Sequence, residues 1–388
     1  MGSRKNSAVR WSGLFLALIL SPCLALGQDA KQPTTDAAKA IPSVSEKERP
    51  PFDLTFVPPD ATGVVAIRPN AIFHAPAMKP LARMANESFL MQMFLPYIPY
   101  TDLKLSVQEI EQIVLFTRPP PDTCSKGDIF SAIETVSIRA AHDFDWLKQM
   151  RRIDPNTQEI RHGDQVYYRS HPKLGKGEMF SGLTIPPKAT FCYLIPDKRT
   201  IVLVPFSLIQ AVEKGERIKR PHFSWDKEWK HVEHDLVAIA QSDCQTCRVI
   251  TIENGKEVSE PAEWTALTQK PTTMIAGVDW KDGFDLRAYL TFKEPSAAKQ
   301  GIKDLKTYLK LSRREMTEYP TPPSEFSEVE RQAMKFQLDL WKRLYDGVRI
   351  KREESTVCVH TKVKMTVAEI AKGLLSQFFE LPSVGKSE

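Results

Sequence analysis

The strand pattern near residue 284 limits the possible folds more than any other feature of the sequence. From Phe284 to Phe292, apolar residues alternate with more polar ones. Successive side chains of a strand point to opposite faces of a sheet, so this pattern predicts one buried and one solvated face. Sheets with a solvated face are typically antiparallel. The apolar segment 273–280 precedes it across Lys281-Asp282-Gly283, which predicts a hairpin.

A unit of two strands and a helix recurs along the chain at irregular intervals. The sequence predicts this unit at 131–150, 189–214, 273–312 and 348–379. We therefore predict an α+β fold with two related halves, 52–220 and 221–388. Each half is expected to be a mostly antiparallel sheet with helices packed on one face. The second half also contains a long helical pair at 296–345, because apolar residues recur there at helical spacing.

Residues 1–27 have the pattern of a secretory signal peptide. Three basic residues precede an apolar stretch, 13–20, that is too short to cross a bilayer comfortably. Ala25 and Gly27 are small residues at the positions that favour cleavage before Gln28. We expect an exported protein, located in the periplasm or outside the cell. An uncleaved N-terminal anchor is the alternative.

The composition of the remaining chain restricts its partners. The segment 28–50 is polar and poor in large apolar residues, which predicts a disordered linker. Loss of residues 1–27 removes three cations and no acid, which lowers the net charge from +5 by three to +2. Such a balance does not indicate nucleic acid as a partner. The basic stretch 349–352 has acidic neighbours and is interpreted as a solvated face. No later segment is apolar for about 18 residues, so we expect no membrane span after signal cleavage.

Three segments together resemble a known group of proteins. VPPDA at 57–61 precedes GVVAIR at 63–68, DLVAIA at 235–240 repeats the apolar part of that pattern, and the chain ends with a strand and a helix. This arrangement resembles a loose class of uncharacterised exported bacterial proteins that have a signal peptide and two such halves. The resemblance covers most of the mature chain. It implies an internal repeat and brings no assigned activity and no functional residues.

The most specific pair of reactive residues is Cys244 and Cys247. In an exported protein two cysteines at this spacing favour a local disulfide. A thioredoxin-like redox site would need a helix after Cys244, whereas 249–252 has a strand-like sequence. A passive thiol pair, redox activity and metal binding are the alternatives. The mature chain contains five cysteines, an odd number, so at least one thiol is unpaired or intermolecular.

A metal site could combine that cysteine pair with two histidines. His231, His234, Cys244 and Cys247 provide the ligand types of a tetrahedral zinc site. The predicted strand at 236–240 separates the two pairs by about 20 Å, at about 3.3 Å for each residue. We therefore expect no metal and no cofactor.

The aromatic residues that precede the second half have two interpretations. Phe223, Trp225 and Trp229 lie close together in sequence. Packing at the junction between the halves is the first interpretation, and a platform for a sugar or a protein partner is the second.

The sequence contains no local signature of catalysis. It has no G-x-S-x-G, no H-E-x-x-H, no Walker lysine loop and no dinucleotide fingerprint, so we assign no catalytic residues. The sequence favours a non-catalytic interaction or scaffold module of the cell envelope. Its protein partner would contact the helical pair 296–345 or the groove between the halves. The alternative is a hydrolase with an unrecognised site in that groove.

Overall fold

The computed structural model describes the greater part of the chain after residue 48. The described residues are 49–59, 61–74, 78–80, 82, 105–117, 133–163, 165–170, 191–204, 206–214, 218–242, 250–253, 256–259, 271–279, 283–318 and 328–369. The predicted signal peptide, most of the predicted linker, and Cys244 with Cys247 lie outside these residues. The disulfide and redox interpretations of that pair therefore stay predictions.

The described residues form fourteen strands. They are β1 Gly63–Ile67, β2 Ile110–Thr117, β3 Ile133–Ala140, β4 Gln158–His162, β5 Gln165–Ser170, β6 Phe191–Asp197, β7 Thr200–Val204, β8 Val237–Ser242, β9 Ile250–Glu253, β10 Lys256–Ser259, β11 Thr273–Asp279, β12 Phe284–Thr291, β13 Arg349–Glu353 and β14 Thr356–Val363. Twelve of them form one sheet in the order β13-β14-β12-β11-β8-β1-β2-β3-β7-β6-β5-β4, and β9 pairs separately with β10. The pairs are antiparallel, as the alternation in β12 predicted.

Six helices with bounds inside the described residues accompany the sheet. They are α1 Pro69–Phe73, α2 Trp146–Ile153, α3 Phe206–Glu213, α4 Asp226–Trp229, α5 Pro295–Glu318 and α6 Glu328–Gly347, with a short 3₁₀ turn at Val107–Glu109. Helices α5 and α6 lie in the region 296–345, where apolar residues recur at helical spacing. No helix within the described ranges is long and apolar enough to cross a membrane.

The sheet is continuous, whereas the sequence suggested a separate sheet in each half. Strands β1 and β8 pair directly, with Gly63 opposite Gln241 and Ile67 opposite Val237. Both strands bury apolar side chains on both faces, which suits them to a central position in a sheet. The two segments that the sequence identified as echoes of each other are therefore neighbours.

One face of the sheet, here named the helix face, packs against α1, α5 and α6. Ile67 and Val237 contribute to a buried cluster with Leu340 and Leu344 of α6. A second cluster joins Leu290 and Val357 to α5, and its further members are Phe292, Ala298, Met274, Ala297, Ile302, Leu305, Ile350 and Val359. The apolar stripes that the sequence assigned to these helices thus face the sheet.

The other face, here named the opposite face, is covered mainly by chain segments without long helices. Val64 and Ala238 pack against Phe52 and Leu54 of the first described segment, and against Trp229 of α4. Helix α3 packs on the same face, on a separate cluster near β6 and β7. The helices therefore lie on both faces, rather than on one as predicted. The reason is that the central strands are apolar on both sides and bury both.

The sequence DFDWLKQM at 143–150 predicts a short helix capped by Asp143, whereas helix α2 begins at Trp146. The predicted cap was Asp143, but the Asp145 carboxylate accepts a hydrogen bond from the Lys148 amide at 3.0 Å. Asp143 instead lies 3.5 Å from the exposed amine of Lys198. Aspartate favours a cap at either position. Trp146 is buried as the first residue of the helix, and this places Asp145 at the cap position.

Candidate functional site

Two neighbouring groups of polar residues lie on the opposite face, in the part of the sheet formed by β11, β12, β14 and β13. The first is the Asp235 cluster, which consists of Arg49, Arg68, Asp235, Asp279, Asp285 and Arg287. The second is the basic basin, which is lined by Arg287, Tyr289, Arg349, Lys351, Cys358, Val359 and His360. Arg287 belongs to both.

Arg68 connects three segments of chain at the end of β1. Its side chain is almost completely buried and donates hydrogen bonds to the carbonyl oxygens of Asp235, Pro50 and Glu233 at 3.0, 2.6 and 2.9 Å. The guanidinium also lies 4.0 Å from the centre of the Phe52 ring. Burial lowers the pKa of Arg68 to about 10, so the side chain is still cationic at neutral pH. Arg68 is therefore a structural residue that fixes the covering segments to the sheet.

Asp235 is the most perturbed acid of the cluster. Its carboxylate is buried and forms an ion pair with Arg287. Burial disfavours the charged form more than Arg287 favours it, and repulsion from Asp279 and Asp285 adds to the effect. Together these raise the pKa of Asp235 to about 7. The Oδ2 oxygen is buried close to Gly277, has no hydrogen-bond partner among the described residues and does not face solvent.

The acids beside Asp235 are also paired. Asp279 forms an ion pair with Arg49 at 3.0 Å, and Asp285 lies 3.1 Å from the His360 ring nitrogen Nε2. Each carboxylate thus has a cationic or potentially cationic neighbour. The Asp235 cluster can hold the first described segment and the segment before β8 on the sheet, and its pairing is typical of a structural network.

The two histidines of the possible zinc site have other partners. The His231 ring stacks on Tyr289 with the ring centres 5.0 Å apart, and His234 Nδ1 lies 2.8 Å from the carbonyl oxygen of Arg49. Cys244 and Cys247 are outside the described residues. Among the residues that the structure describes, no three ligand side chains are placed to hold a metal ion.

The aromatic residues before β8 are buried. Phe223 and Trp225 stack with ring centres 4.3 Å apart, and Trp225 contacts Trp229 at 5.2 Å. All three rings pack beneath the central strands β1 and β8 and are at most 3% exposed. This confirms the packing interpretation, because rings enclosed in this way cannot provide a sugar-binding platform.

The basic basin is an open depression of about 220 Å³ on the solvent side of β12, β14 and β13. Its residues form two rows across the strands. Arg287, His360 and Arg349 are opposite one another in the first row, and Tyr289, Cys358 and Lys351 are opposite one another in the second. Side chains directly opposite on neighbouring strands are about 5 Å apart at Cβ. The first row therefore places three basic side chains next to one another.

The cations of the basin differ in how they are neutralised. Arg287 contacts Asp235 and Asp285, and His360 contacts Asp285. Arg349 and Lys351 are exposed, and neither has a carboxylate partner among the described residues. These two side chains therefore supply positive charge that is available to a binding partner.

The thiol in the basin is not activated. Burial, together with the negative charges of Glu353 and Glu228, raises the pKa of Cys358 above its ordinary value. Burial also raises the pKa of Cys192, on β6. Neither thiol is paired with another cysteine among the described residues. The strand-like sequences around Cys192 and Cys358 predict small buried side chains, whereas both side chains are only partly buried.

The basic basin has no local signature in the sequence. The composition of 349–352 indicates a solvated stretch, and nothing local in the sequence connects these residues with Arg287 or His360. The available signal was the alternation in β12, β13 and β14, which places one cation of each strand on the same face. The register that aligns them in one row depends on pairing between distant segments.

Comparisons with known proteins do not identify a family for this chain. No protein-family model matches the chain, and no curated protein matches it significantly. Among solved structures, the crystal forms I and IV of TP0453 are similar at 9% and 8% sequence identity, both with a TM-score of 0.35. They cover 86% and 85% of this chain and 100% and 98% of their own chains. A similarity at this level supports no conclusion about function.

Proposed function

We propose that the protein is a non-catalytic interaction module of the cell envelope, and that the basic basin binds an anionic group of its partner. One observation carries the proposal. Arg349 and Lys351 lie beside Arg287 and His360, which are paired with acids, whereas neither Arg349 nor Lys351 forms an ion pair among the described residues.

The cost of this arrangement supports a role in binding. Arg349 and Lys351 project from the same face of β13, and both are exposed. Like charges that are close on one face of a sheet destabilise it by some tenths of a kcal/mol. An anion bound beside these two side chains would offset that repulsion.

The chemistry of the basin favours binding over catalysis. Cys358 is the nucleophile nearest the basic rows, and its raised pKa keeps the thiol protonated at neutral pH. The hydrolase alternative requires a groove between the halves. In the described residues β1 and β8 are instead joined by a regular ladder, and Phe52 and Trp229 cover its opposite face. No observation favours the hydrolase.

We also propose that the two halves are related repeats. The strands β1, β2 and β3 form one antiparallel meander, and β8, β11 and β12 form another. The final strand of each half, β7 or β14, then pairs with the third strand of its own meander. The same topology on both sides of the β1–β8 ladder supports duplication.

Export by residues 1–27 is part of the proposal. It is tested by producing the full chain in a bacterial host and measuring the intact mass of the protein in the periplasmic fraction. We expect a mature chain that begins at Gln28. A cytosolic product that retains Met1 would contradict export.

Binding is tested by fluorescence anisotropy with a labelled polyglutamate peptide. We expect the variant with both Arg349→Ala and Lys351→Ala to lose about 1–2 kcal/mol of binding free energy, a loss of affinity of about fivefold to thirtyfold. Arg161→Ala is the matched control, because Arg161 lies on the strand at the other end of the sheet. Equal weakening by the control, or no weakening by the double variant, would contradict the proposal.

A further inference from the structure

Strand β13 is an edge of the twelve-stranded sheet. It pairs with β14 on one side, and the sheet has no strand beyond it within the described residues. Four of its five residues are exposed, Ile350 being the exception. An open edge of this kind offers backbone hydrogen-bonding groups that another strand can use.

The turn between β13 and β14 determines which backbone groups point outward. Glu354 and Ser355 form a two-residue turn, and Glu354 has a positive φ of 52°. In such a hairpin the flanking residues, Glu353 and Thr356, exchange backbone hydrogen bonds. The amide and carbonyl groups of every second residue of β13 then point to its unpaired side. The amide and carbonyl groups of Ile350 and Arg352 therefore point away from β14.

The other edge of the sheet shows how this chain neutralises an edge. Strand β4 is also polar and largely exposed, but its Arg161 forms an ion pair with Glu159 of the same strand. Charged residues on an edge ordinarily prevent association. On β13, Arg349 and Lys351 share the basin face with Glu353, but no ion pair forms among these three side chains. The two edges of the described sheet are therefore not equivalent, because β13 combines open backbone groups with two exposed cations that have no ion pair among the described residues.

We propose that an acidic, extended segment of a partner protein adds to β13 as a further antiparallel or parallel strand. Its alternate acidic side chains lie beside Arg349 and Lys351 on the basin face. Its remaining side chains lie on the helix face beside Ile350, which packs with Leu290 and α5. This inference rests on the proposed function, because it specifies how the anionic partner reaches the basin.

The pattern of the partner follows from the geometry of the edge. Successive side chains of the added strand alternate between the two faces of the sheet. The partner therefore needs Glu or Asp at every second position and apolar or β-branched residues between them. A segment with the same composition in another order would place acids on the apolar face.

The test uses three short labelled peptides and the whole mature chain. In the first, Glu alternates with Val and Thr. The second has the same sequence with N-methyl groups on alternate amides, so that its charge is retained and its pairing edge is blocked. The third has the same composition with the Glu residues placed consecutively. Affinities are measured by fluorescence anisotropy at one low salt concentration.

We expect the alternating peptide to bind at least about tenfold more tightly than both other peptides, because main-chain hydrogen bonds contribute affinity and the alternating side chains contribute specificity. The Arg349→Ala and Lys351→Ala double variant should weaken its binding by about fivefold or more. Equal binding of the N-methylated peptide, with loss in the double variant, would overturn strand addition and leave the basin as a general anion site. If the alternating and the N-methylated peptides bound equally, and the double variant bound them as tightly as the wild-type chain does, the proposed function would be overturned as well.

A backbone variant gives an independent measurement. Arg352→Pro removes an outward amide without breaking a hydrogen bond to β14, and proline is tolerated at such edge positions. It also removes the Arg352 side chain, which donates to the carbonyl oxygen of Pro295 at 3.3 Å, so its affinities are compared with those of Arg352→Ala. We expect the proline variant to bind the alternating peptide at least about tenfold more weakly and to keep its affinity for the consecutive-Glu peptide. Circular dichroism and urea unfolding verify that the variant is folded. Undiminished affinity of folded Arg352→Pro for the alternating peptide would overturn the inference.

Discussion

Substitution of Gly277 by alanine should destabilise the protein strongly. Gly277 lies inside β11, opposite Arg287 on one neighbouring strand and Ala238 on the other. A Cβ atom at this position would overlap the Asp235 carboxylate and lie 2.6 and 2.7 Å from two atoms of Val232. Real Cβ contacts are much longer, so either the covering segment or the strand has to move.

The magnitude follows from how little those neighbours can move. Val232 is fully buried and Asp235 is 3% exposed. Inserting one carbon into a packed core costs about 1–3 kcal/mol. Displacement of the Asp235 carboxylate from Arg287 would add the cost of a disturbed buried ion pair, which is about 3 kcal/mol when one partner is lost. We therefore expect Gly277→Ala to lower the free energy of unfolding by at least about 3 kcal/mol.

The assay is urea unfolding followed by tryptophan fluorescence and circular dichroism. The matched control is Gly163→Ala, in the β4–β5 turn. Gly163 has a positive φ of 58° and no atom within 4 Å of an added Cβ, so alanine there meets only backbone strain, about 1–2 kcal/mol. If Gly277→Ala were no more destabilising than Gly163→Ala, the close packing of Asp235 and Val232 against β11 would be refuted.

Three further predictions concern the Asp235 cluster, the basin thiol and the α2 cap. The folded pKa of Asp235, about 7, lies above its ordinary value of 3.8, so its favourable contribution to stability is complete below about pH 4 and is lost as the pH rises through about 7. Asp235→Asn should remove this slope, up to about 4 kcal/mol, in urea unfolding series from about pH 4 to about pH 8, and an unchanged slope would contradict the assignment. Cys358 should react with iodoacetamide more slowly at neutral pH than glutathione does, as followed by mass spectrometry, because burial raises its pKa, and a faster reaction would show an activated thiol. Asp145→Ala should cost about 1 kcal/mol of stability in chemical unfolding, whereas Asp143→Ala should cost a few tenths at most, and equal effects would reject the cap seen here.

The Asp235 cluster and the basic basin act together through Arg287. Its guanidinium forms an ion pair with Asp235 and donates to the carbonyl oxygen of His231 at 3.0 Å. These contacts hold the side chain at the border of the basin. The cluster thus positions one basic group, and Arg349 and Lys351 provide the charges that a partner can neutralise.

The alternation in β12 was interpreted correctly as an antiparallel strand, but its polar face is only partly solvated. Tyr289 lies beneath the His231 ring, and Arg287 lies beneath Asp235. All four polar-face residues from Asp285 to Thr291 are half-buried for this reason. The sequence pattern indicates which side chains share a face, but it does not indicate which distant segment covers them.

The hairpin turns and the long helices of the second half were predictable because their sequence signals are local. Gly163 marks the turn between β4 and β5, and its positive φ requires a residue such as glycine. The apolar stripe of α6, with Leu340 and Leu344, faces the sheet as helical periodicity indicated. The cap of α2 was misplaced by two residues, because Asp143 and Asp145 are equally suited by residue type and only packing distinguishes them.

The amino-acid sequence by itself determined the strands, the turns, the antiparallel pairing and the absence of local catalytic signatures, since each depends on residues close together in the chain. Only the tertiary structure decided that β1 and β8 join the two meanders into one twelve-stranded sheet, that aromatic segments cover part of its opposite face, and that Arg287, His360 and Arg349 form one row. The physical reason is that these features depend on the register between distant strands, which is selected by burial of the whole sheet and not by any local preference.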